Sequence, residues 1–401
     1  MVNRRAPAVW TGHDRVAGTT ATTTPSVTQL VDTAAAIDAV EWDDLVGPGD
    51  LFCSHAWLRH LDEAATAQQV VTVRAEGRLI GAAPLWDGES EPGLFHLPSF
   101  FPGLPGPWQH PFVWLGARRS VRNGLICVRG PRRAPTLSQL LNGGREHAKE
   151  NGRAGVILPY LPVDAATELA RAHPGAQVLL HSADAVIAVP EHGTAELVAN
   201  ASGHNRKRRR RELREFASAG FSLEWVDPTP EVIAAIVPLI TATRRRYGSR
   251  QGDEWLHRVF AAQRRVGLLE DAKVLLCRRN NALATVAVCY RHGDSLHGRY
   301  FGADETRSRD GYPYFVTTCY APIDYAAQQR LPRLFLSTSS LEAKIRRGAT
   351  IEPLAAVVVL ADGELDIARA ATHNSELARA YLDRFTGYSA SLSSDWLDFL
   401  S

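Results

Sequence analysis

A lysine stands in the segment Glu342-Ala-Lys344-Ile-Arg-Arg347-Gly348, shortly after the apolar run Leu334-Phe-Leu336. It is one of only four lysines, with Lys149, Lys207 and Lys273, in a chain whose other basic residues are all arginine. An ammonium at that position could hold a phosphate, a carboxylate or a developing oxyanion. The bland alternative is a surface pair with Glu342. Arg347 offers a second cation, and Gly348 suits a turn. Upstream, Leu296-His297-Gly-Arg299-Tyr300-Phe-Gly302 reads as a strand that sets His297, Arg299 and Phe301 on one face and Tyr300 and Gly302 on the other. His297 is a candidate general base and Arg299 an anion clamp, although a lone strand histidine is more often structural. Asp304, at the strand end, could bind an amine or cap a turn. Trp108, Gln109 and His110 sit in a Pro/Gly/aromatic loop and are candidates to line a pocket. Arg206, Lys207, Arg208, Arg209, Arg210 and Arg211 form an unbroken cationic run. Such a run can track nucleic-acid phosphates, or it can be the solvated side of a helix.

No Ser-His-Asp or Cys-His set is legible. Cys53, Cys127, Cys277, Cys289 and Cys319 lie far apart, without C-x-x-C or Cys/His metal spacing, so neither a metal nor a cofactor is expected. Most of them fall in apolar runs, which suits core packing in a reducing cytoplasm. The first residues carry Arg4, Arg5 and a Thr-rich stretch with no apolar core, unlike a secretory signal. No run long enough to span a bilayer is present. The net charge of +2 is too small to imply a nucleic-acid partner by itself, so only local clustering bears on that question.

These residues need elements to position them, and the chain reads as two halves of similar layout. At 401 residues two domains are the default. We read 1–25 as a flexible tail, 26–195 as one domain and 196–401 as a second. In the first, a helical stretch through Trp57, Leu58 and Leu61 precedes a hairpin, Val70 to Leu85, turning at Glu76-Gly77. A helix from about Leu137 to Glu150, the strand Gly155 to Leu158 and further strands near Val178 and Ala185 follow. The second domain opens with a helix from Gly203 to Ala219, stopped by Gly220. Thr229-Pro230 starts another, running towards Tyr247. Three strands come next, Lys273 to Cys277, Leu283 to Tyr290 and Leu296 to Gly302, joined by Asn280-Asn281 and His292-Gly293-Asp294. A helix from Tyr314 to Gln329, then strands at Leu334 and from Ile351 to Leu360, complete an α+β chain with mixed, mainly antiparallel sheets.

Together, the Gly298-Arg-Tyr-Phe-Gly302 strand, Cys319-Tyr320 on a helix and the Lys344 to Gly348 loop resemble the motif string of the peptidoglycan biosynthesis/recognition family. That family is a FemAB-like branch of the GNAT acyltransferases. Ala343 stands where its histidine would be. Trp42-Asp-Asp-Leu45 with Phe52, Ser54 and Trp57, and the basic run ending at Gly220, resemble related FemAB-like chains, so the likeness covers about 38–360. It implies two tandem GNAT-like halves and an amide-forming transfer onto a small amine or peptide acceptor. With the reading of the residues above, Arg299, Tyr300, Asp304, Glu342, Arg347, Trp108 and His110 are the substrate-binding candidates, and Lys344 and His297 the catalytic ones. Ordinary GNATs bind the pyrophosphate of acyl-CoA at a [QR]-x-x-G-x-[GA] turn. Here the turn is Ser308-Arg-Asp-Gly311-Tyr-Pro313, in which proline removes a donor. The expected donor is therefore aminoacyl-tRNA held by Arg206 to Arg211, with acyl-CoA as the alternative.

Overall fold

The computed structural model describes residues 9–10, 26–90 and 93–400; apart from 9–10, the tail expected over 1–25 lies outside the described residues. Its strands, in chain order, are β1 (Val9–Trp10), β2 (Ser26–Val31), β3 (Val70–Ala75), β4 (Arg78–Asp87), β5 (Val113–Leu115), β6 (Ile126–Cys127), β7 (Gly155–Pro162), β8 (Gln177–Ala188), β9 (Phe221–Val226), β10 (Ala272–Arg279), β11 (Ala282–His292), β12 (Ser295–Ala303), β13 (Arg333–Phe335) and β14 (Thr350–Leu360). The residues group into two compact units. The first runs to Ser182 and adds Pro353–Tyr381 and Asp395–Ser401; the second is Ala183–Glu352 with Leu382–Ser394.

In the first unit β1 to β5 pair antiparallel in the order β1-β2-β3-β4-β5, with β6 also on β4. β5 then pairs parallel with β7, and β7 antiparallel with β14. The second unit repeats the scheme. β9-β10-β11-β12 are antiparallel, β12 and β13 are parallel, and β13 is antiparallel to β8. Helices fall at matching places. Two lie between β2 and β3 in the first unit, Ala39–Asp43 and His55–Ala64, and two between β9 and β10 in the second, Pro230–Arg246 and Asp253–Arg265. A long helix bridges each parallel pair: Arg133–Glu150 in the first repeat, and in the second a run from Pro313 to Gln328 containing a π-helical turn, Val316–Tyr320. The last strand of each repeat joins the opposite unit: residues 183–188 of β8 belong to the second, residues 353–360 of β14 to the first. This is the tandem α+β arrangement that the sequence predicts.

Local chemistry explains the frame. The β10–β11 hairpin turns on Asn280 (φ 52°) and Asn281 (φ 63°), two left-handed residues whose twist matches the flanking strands. Thr229 caps the helix Pro230–Arg246 by accepting a bond from Val232 N, with proline in the first turn where no N–H is missed. That helix lies against β12 so tightly that a Cβ on Gly302 would stand 2.6 Å from the Ile240 nitrogen. The second glycine of the Gly298 to Gly302 motif is therefore a packing requirement.

Candidate active site

β12 and β13 pair only over Ser295–His297 and Arg333–Phe335. Beyond that, β12 continues to Ala303 while β13 ends, so the two parallel strands part. β12 also carries a bulge. Val288 faces Tyr300 and Cys289 faces Gly298, leaving Arg299 as the extra residue. Bulges re-aim side chains, and four successive residues, Gly298 to Phe301, line the same cavity of about 150 Å³. Opposite them stand Leu336, Ser337, Ser339 and Lys344, and the helix beyond supplies Tyr314, Thr317 and Thr318. Strict alternation assigns Arg299 and Tyr300 to opposite faces; the bulge is why both reach one cavity. The π-helical turn does the same for the adjacent Thr317 and Thr318.

Lys344 is 7% exposed, so it is not a surface residue. Glu342 pairs with Arg346 one helical turn on, which removes the alternative of a Glu342–Lys344 surface pair. The Lys344 ammonium donates to the carbonyls of Leu336 and, at 2.9 Å, Ser337. Ser337 (φ 71°) and Ser340 (φ 53°) both lie in the left-handed region, so the lysine fastens a sharply turned loop. An ammonium has three donors. Two are engaged by the loop, which leaves one for the cavity that the side chain lines. Burial lowers its pKa to about 8, with Asp184 and Cys319 opposing the fall.

The other sequence candidates divide. Arg299 and Tyr300 line the cavity with Lys344. His297, 1% exposed, is stacked on Phe335 at 4.7 Å and is not among the lining residues. Arg347 turns inward. Its Nε and Nη2 donate to Glu212 at 3.1 and 2.5 Å, its Nη1 donates to Ala343 O at 2.6 Å, and Phe315 covers its face. The pair is 4% and 2% exposed, and Tyr320 O–H completes it with a 2.7 Å bond to Glu212. Arg347 is thus held in the interior and is not among the residues that line the cavity. Asp304 is a turn cap, accepting from Thr306 N and Arg307 N at 2.9 Å each, and the latter bond is the main reason its pKa is lowered. Trp108 and His110, with Gln109, line a different cavity of about 510 Å³ within the first unit, alongside Asp87, Glu89 and Arg153. The Trp108 indole itself is tied to Leu104 O at 2.7 Å.

Within the cationic run, Arg206, Lys207, Arg210 and Arg211 are exposed and Arg208 is partly so. Arg209 differs: it is 5% exposed and donates to Leu197 O and Arg346 O at 2.8 and 3.2 Å, so its charge serves the interior. Asp184, Tyr314, Thr317 and Ser337 belong to the site or its support, and sequence reasoning missed them. The one legible signal was Tyr314, at the start of the helix after the Ser308 to Pro313 turn. In that turn Tyr312 precedes the helix with φ 58°, and Pro313 in the first turn supplies no N–H.

The corresponding gap of the first unit is closed. There β5 ends at Leu115, and Asn123 fills the opening, accepting from Ala117 N and donating from its amide to Pro159 O at 2.8 Å. The cavity beside it is about 20 Å³ and chiefly apolar. The second unit carries the open site.

A parallel pair that parts, present in both units of one chain with one gap open, is the arrangement of a tandem GNAT-type fold. The chain belongs to the FemAB-like family, described as peptidoglycan biosynthesis/recognition, whose model matches residues 128–386. That membership gives the chain a peptidoglycan-related transferase function. Among solved structures it is similar to FemX, at 12% identity and a TM-score of 0.54, over 80% of this chain and 96% of that one. It is likewise similar to a conserved protein of unknown function from Bacteroides thetaiotaomicron, at 12% identity and a TM-score of 0.52, over 82% and 99% of the two chains. Both likenesses concern the fold. Among curated proteins, none matches the chain by sequence. No described helix is long and apolar enough to cross a membrane.

Proposed function

We propose that this chain is an aminoacyltransferase that moves an amino acid from aminoacyl-tRNA to the amine of a small or peptide acceptor, forming an amide. The observation that carries this reading is the buried Lys344 ammonium, which lines the open cavity with one N–H uncommitted. The acceptor nitrogen attacks the ester carbonyl carbon, and negative charge gathers on the carbonyl oxygen. The third N–H of Lys344 meets that oxyanion in a site where low dielectric strengthens the bond. As the tetrahedral intermediate collapses, the ester C–O bond breaks. The released ribose hydroxyl gains a proton and the nitrogen loses one, so the step balances without a cofactor. Holding both substrates in one cleft supplies much of the remaining acceleration.

Two features favour tRNA over acyl-CoA as donor. The Ser308 to Pro313 turn lacks the closing small residue and one N–H needed to cradle a pyrophosphate. Exposed cations of the helix Gly203–Ser218 offer phosphate contacts instead. Incubation with a panel of amines and peptides, plus either charged tRNA or acetyl-CoA, should give an amide product with charged tRNA when read by mass spectrometry. Product formed only from acetyl-CoA would replace this reading with an acyl-CoA N-acyltransferase.

A further inference from the structure

Tyr247 is 84% exposed, the most exposed large apolar side chain among the described residues. It ends the run Arg244-Arg245-Arg246-Tyr247 at the C-terminus of the helix Pro230–Arg246, where Arg245 and Arg246 are also exposed. This end of the helix is fixed to the site. Thr243 Oγ1 accepts a 3.0 Å bond from Ala303 N at the close of β12, and Arg246 pairs with Glu305 just beyond it. Burial raises the pKa of the cavity-lining Tyr314, and Tyr247 lies near enough to add to that rise. From Tyr314 the aromatic side chains continue. Tyr314 meets Phe315 edge-on at 5.1 Å, Phe315 stacks with Tyr312 at 6.2 Å, and Tyr312 receives a 3.1 Å hydrogen bond from Arg211 of the basic helix. Tyr247 and the row of rings from Tyr314 to Tyr312 therefore lie between two clusters of exposed arginine, beside the cavity that Tyr314 lines.

We propose that this row is one track for single-stranded nucleic acid, in which Arg211 and Arg245 hold phosphates while Tyr247 and Tyr312 stack bases of the donor's 3′ end. The proposal rests on the reading of the donor as aminoacyl-tRNA and names where that donor lies. Arginine placed beside accessible rings, here the exposed Tyr247 and the partly exposed Tyr312, is the pairing that single-strand binders use: the rings accept any base face and the cations follow the backbone. A small anionic acceptor needs the charge but gives no reason for rings spaced along a line.

The test measures fluorescence anisotropy of labelled uncharged tRNA, and of a short single-stranded oligonucleotide with the tRNA 3′ sequence, on the full chain. Tyr247→Ala should weaken both by about tenfold, the scale of one lost stacking contact, and Tyr247→Phe should retain binding. Arg245→Gln should weaken binding and flatten its dependence on salt. Wild-type binding of tRNA that Tyr247→Ala and Arg245→Gln both leave unchanged overturns the track while the donor reading stands. If these variants instead raise only the KM for the acceptor, the segment is an acceptor site and the track is wrong. Failure of the wild-type chain to bind tRNA at all removes the donor reading and the track together.

Discussion

Protonation of Lys344 decides what its side chain can do. A neutral amine has two N–H groups, both needed by Leu336 O and Ser337 O, so the donor facing the cavity exists only in the ammonium. Turnover should therefore fall as pH rises through about 8. Lys344→Arg should be slower but lose that alkaline limb, since a guanidinium stays charged. An unchanged limb in a pH–rate profile of the arginine variant would assign it to another group. Lys344→Met should cut turnover by about 10² or more, the scale of a lost oxyanion donor. Stability has its own sign. Between pH about 8 and 10.5 the unfolded chain holds a proton that the folded chain has released, so this group's contribution rises with pH across that window. Denaturant midpoints should show a rise there that Lys344→Met flattens. The same variant strands two carbonyls of a strained loop and should cost about 1–3 kcal/mol at neutral pH. The sequence showed this lysine as the cation to watch through its rarity and its motif. It did not show the burial, because the carbonyls that hold it come from a loop seven and eight residues upstream whose left-handed turns have no glycine to announce them.

Among the elements, the basic helix Gly203–Ser218 does two jobs that its charge run blurs together. Arg209 and Glu212 face inward, and Glu212 receives Arg347 and Tyr320. Removing one partner of such a buried pair leaves an uncompensated charge, so Glu212→Gln or Arg347→Met should lower stability by about 3–5 kcal/mol. Replacing both with apolar residues should recover part of that loss, as thermal melts of the two single variants and the double would show. Neutralising Arg206, Lys207 and Arg210 should leave the melt almost unchanged while raising the KM for aminoacyl-tRNA. Equal losses of stability in both sets would contradict the division of the helix into two faces. On β12, Gly302→Ala should destabilise the fold, because its Cβ would collide with the backbone at Leu239 and Ile240. Most of these elements were legible from apolar alternation and turn chemistry. The bulge at Arg299 and the π-helical turn at Val316–Tyr320 were not. Both are slips of a single residue made by pairing and packing at a distance, and both decide which side chains meet in the cavity.

For the whole molecule, the similar layout of the two halves was readable as a hairpin or meander followed by a helix and further strands, but the parallel pairings were not. Nor was the destination of each final strand, since strand composition says nothing of which neighbour it will find. Because β14 closes the first unit and β8 the second, a cut near residue 195 separates each unit from a strand or from its supply. Fragments 1–195 and 196–401 made separately should be poorly folded by circular dichroism, and mixing them should restore signal. A cooperative melt from fragment 1–195 alone would refute this dependence.

The place of β14 late in the chain also sets a schedule for synthesis. Residues 155–162 of β7 leave the ribosome nearly two hundred residues before 354–360, the strand they pair with. At typical elongation rates that interval lasts about ten seconds or more, long beside the microseconds in which a hairpin forms. Throughout it, β7 presents an unpaired apolar edge, the kind that recruits chaperones or neighbouring chains. Slowing translation before residue 350 should therefore lower the soluble yield, whereas slowing it afterwards should not.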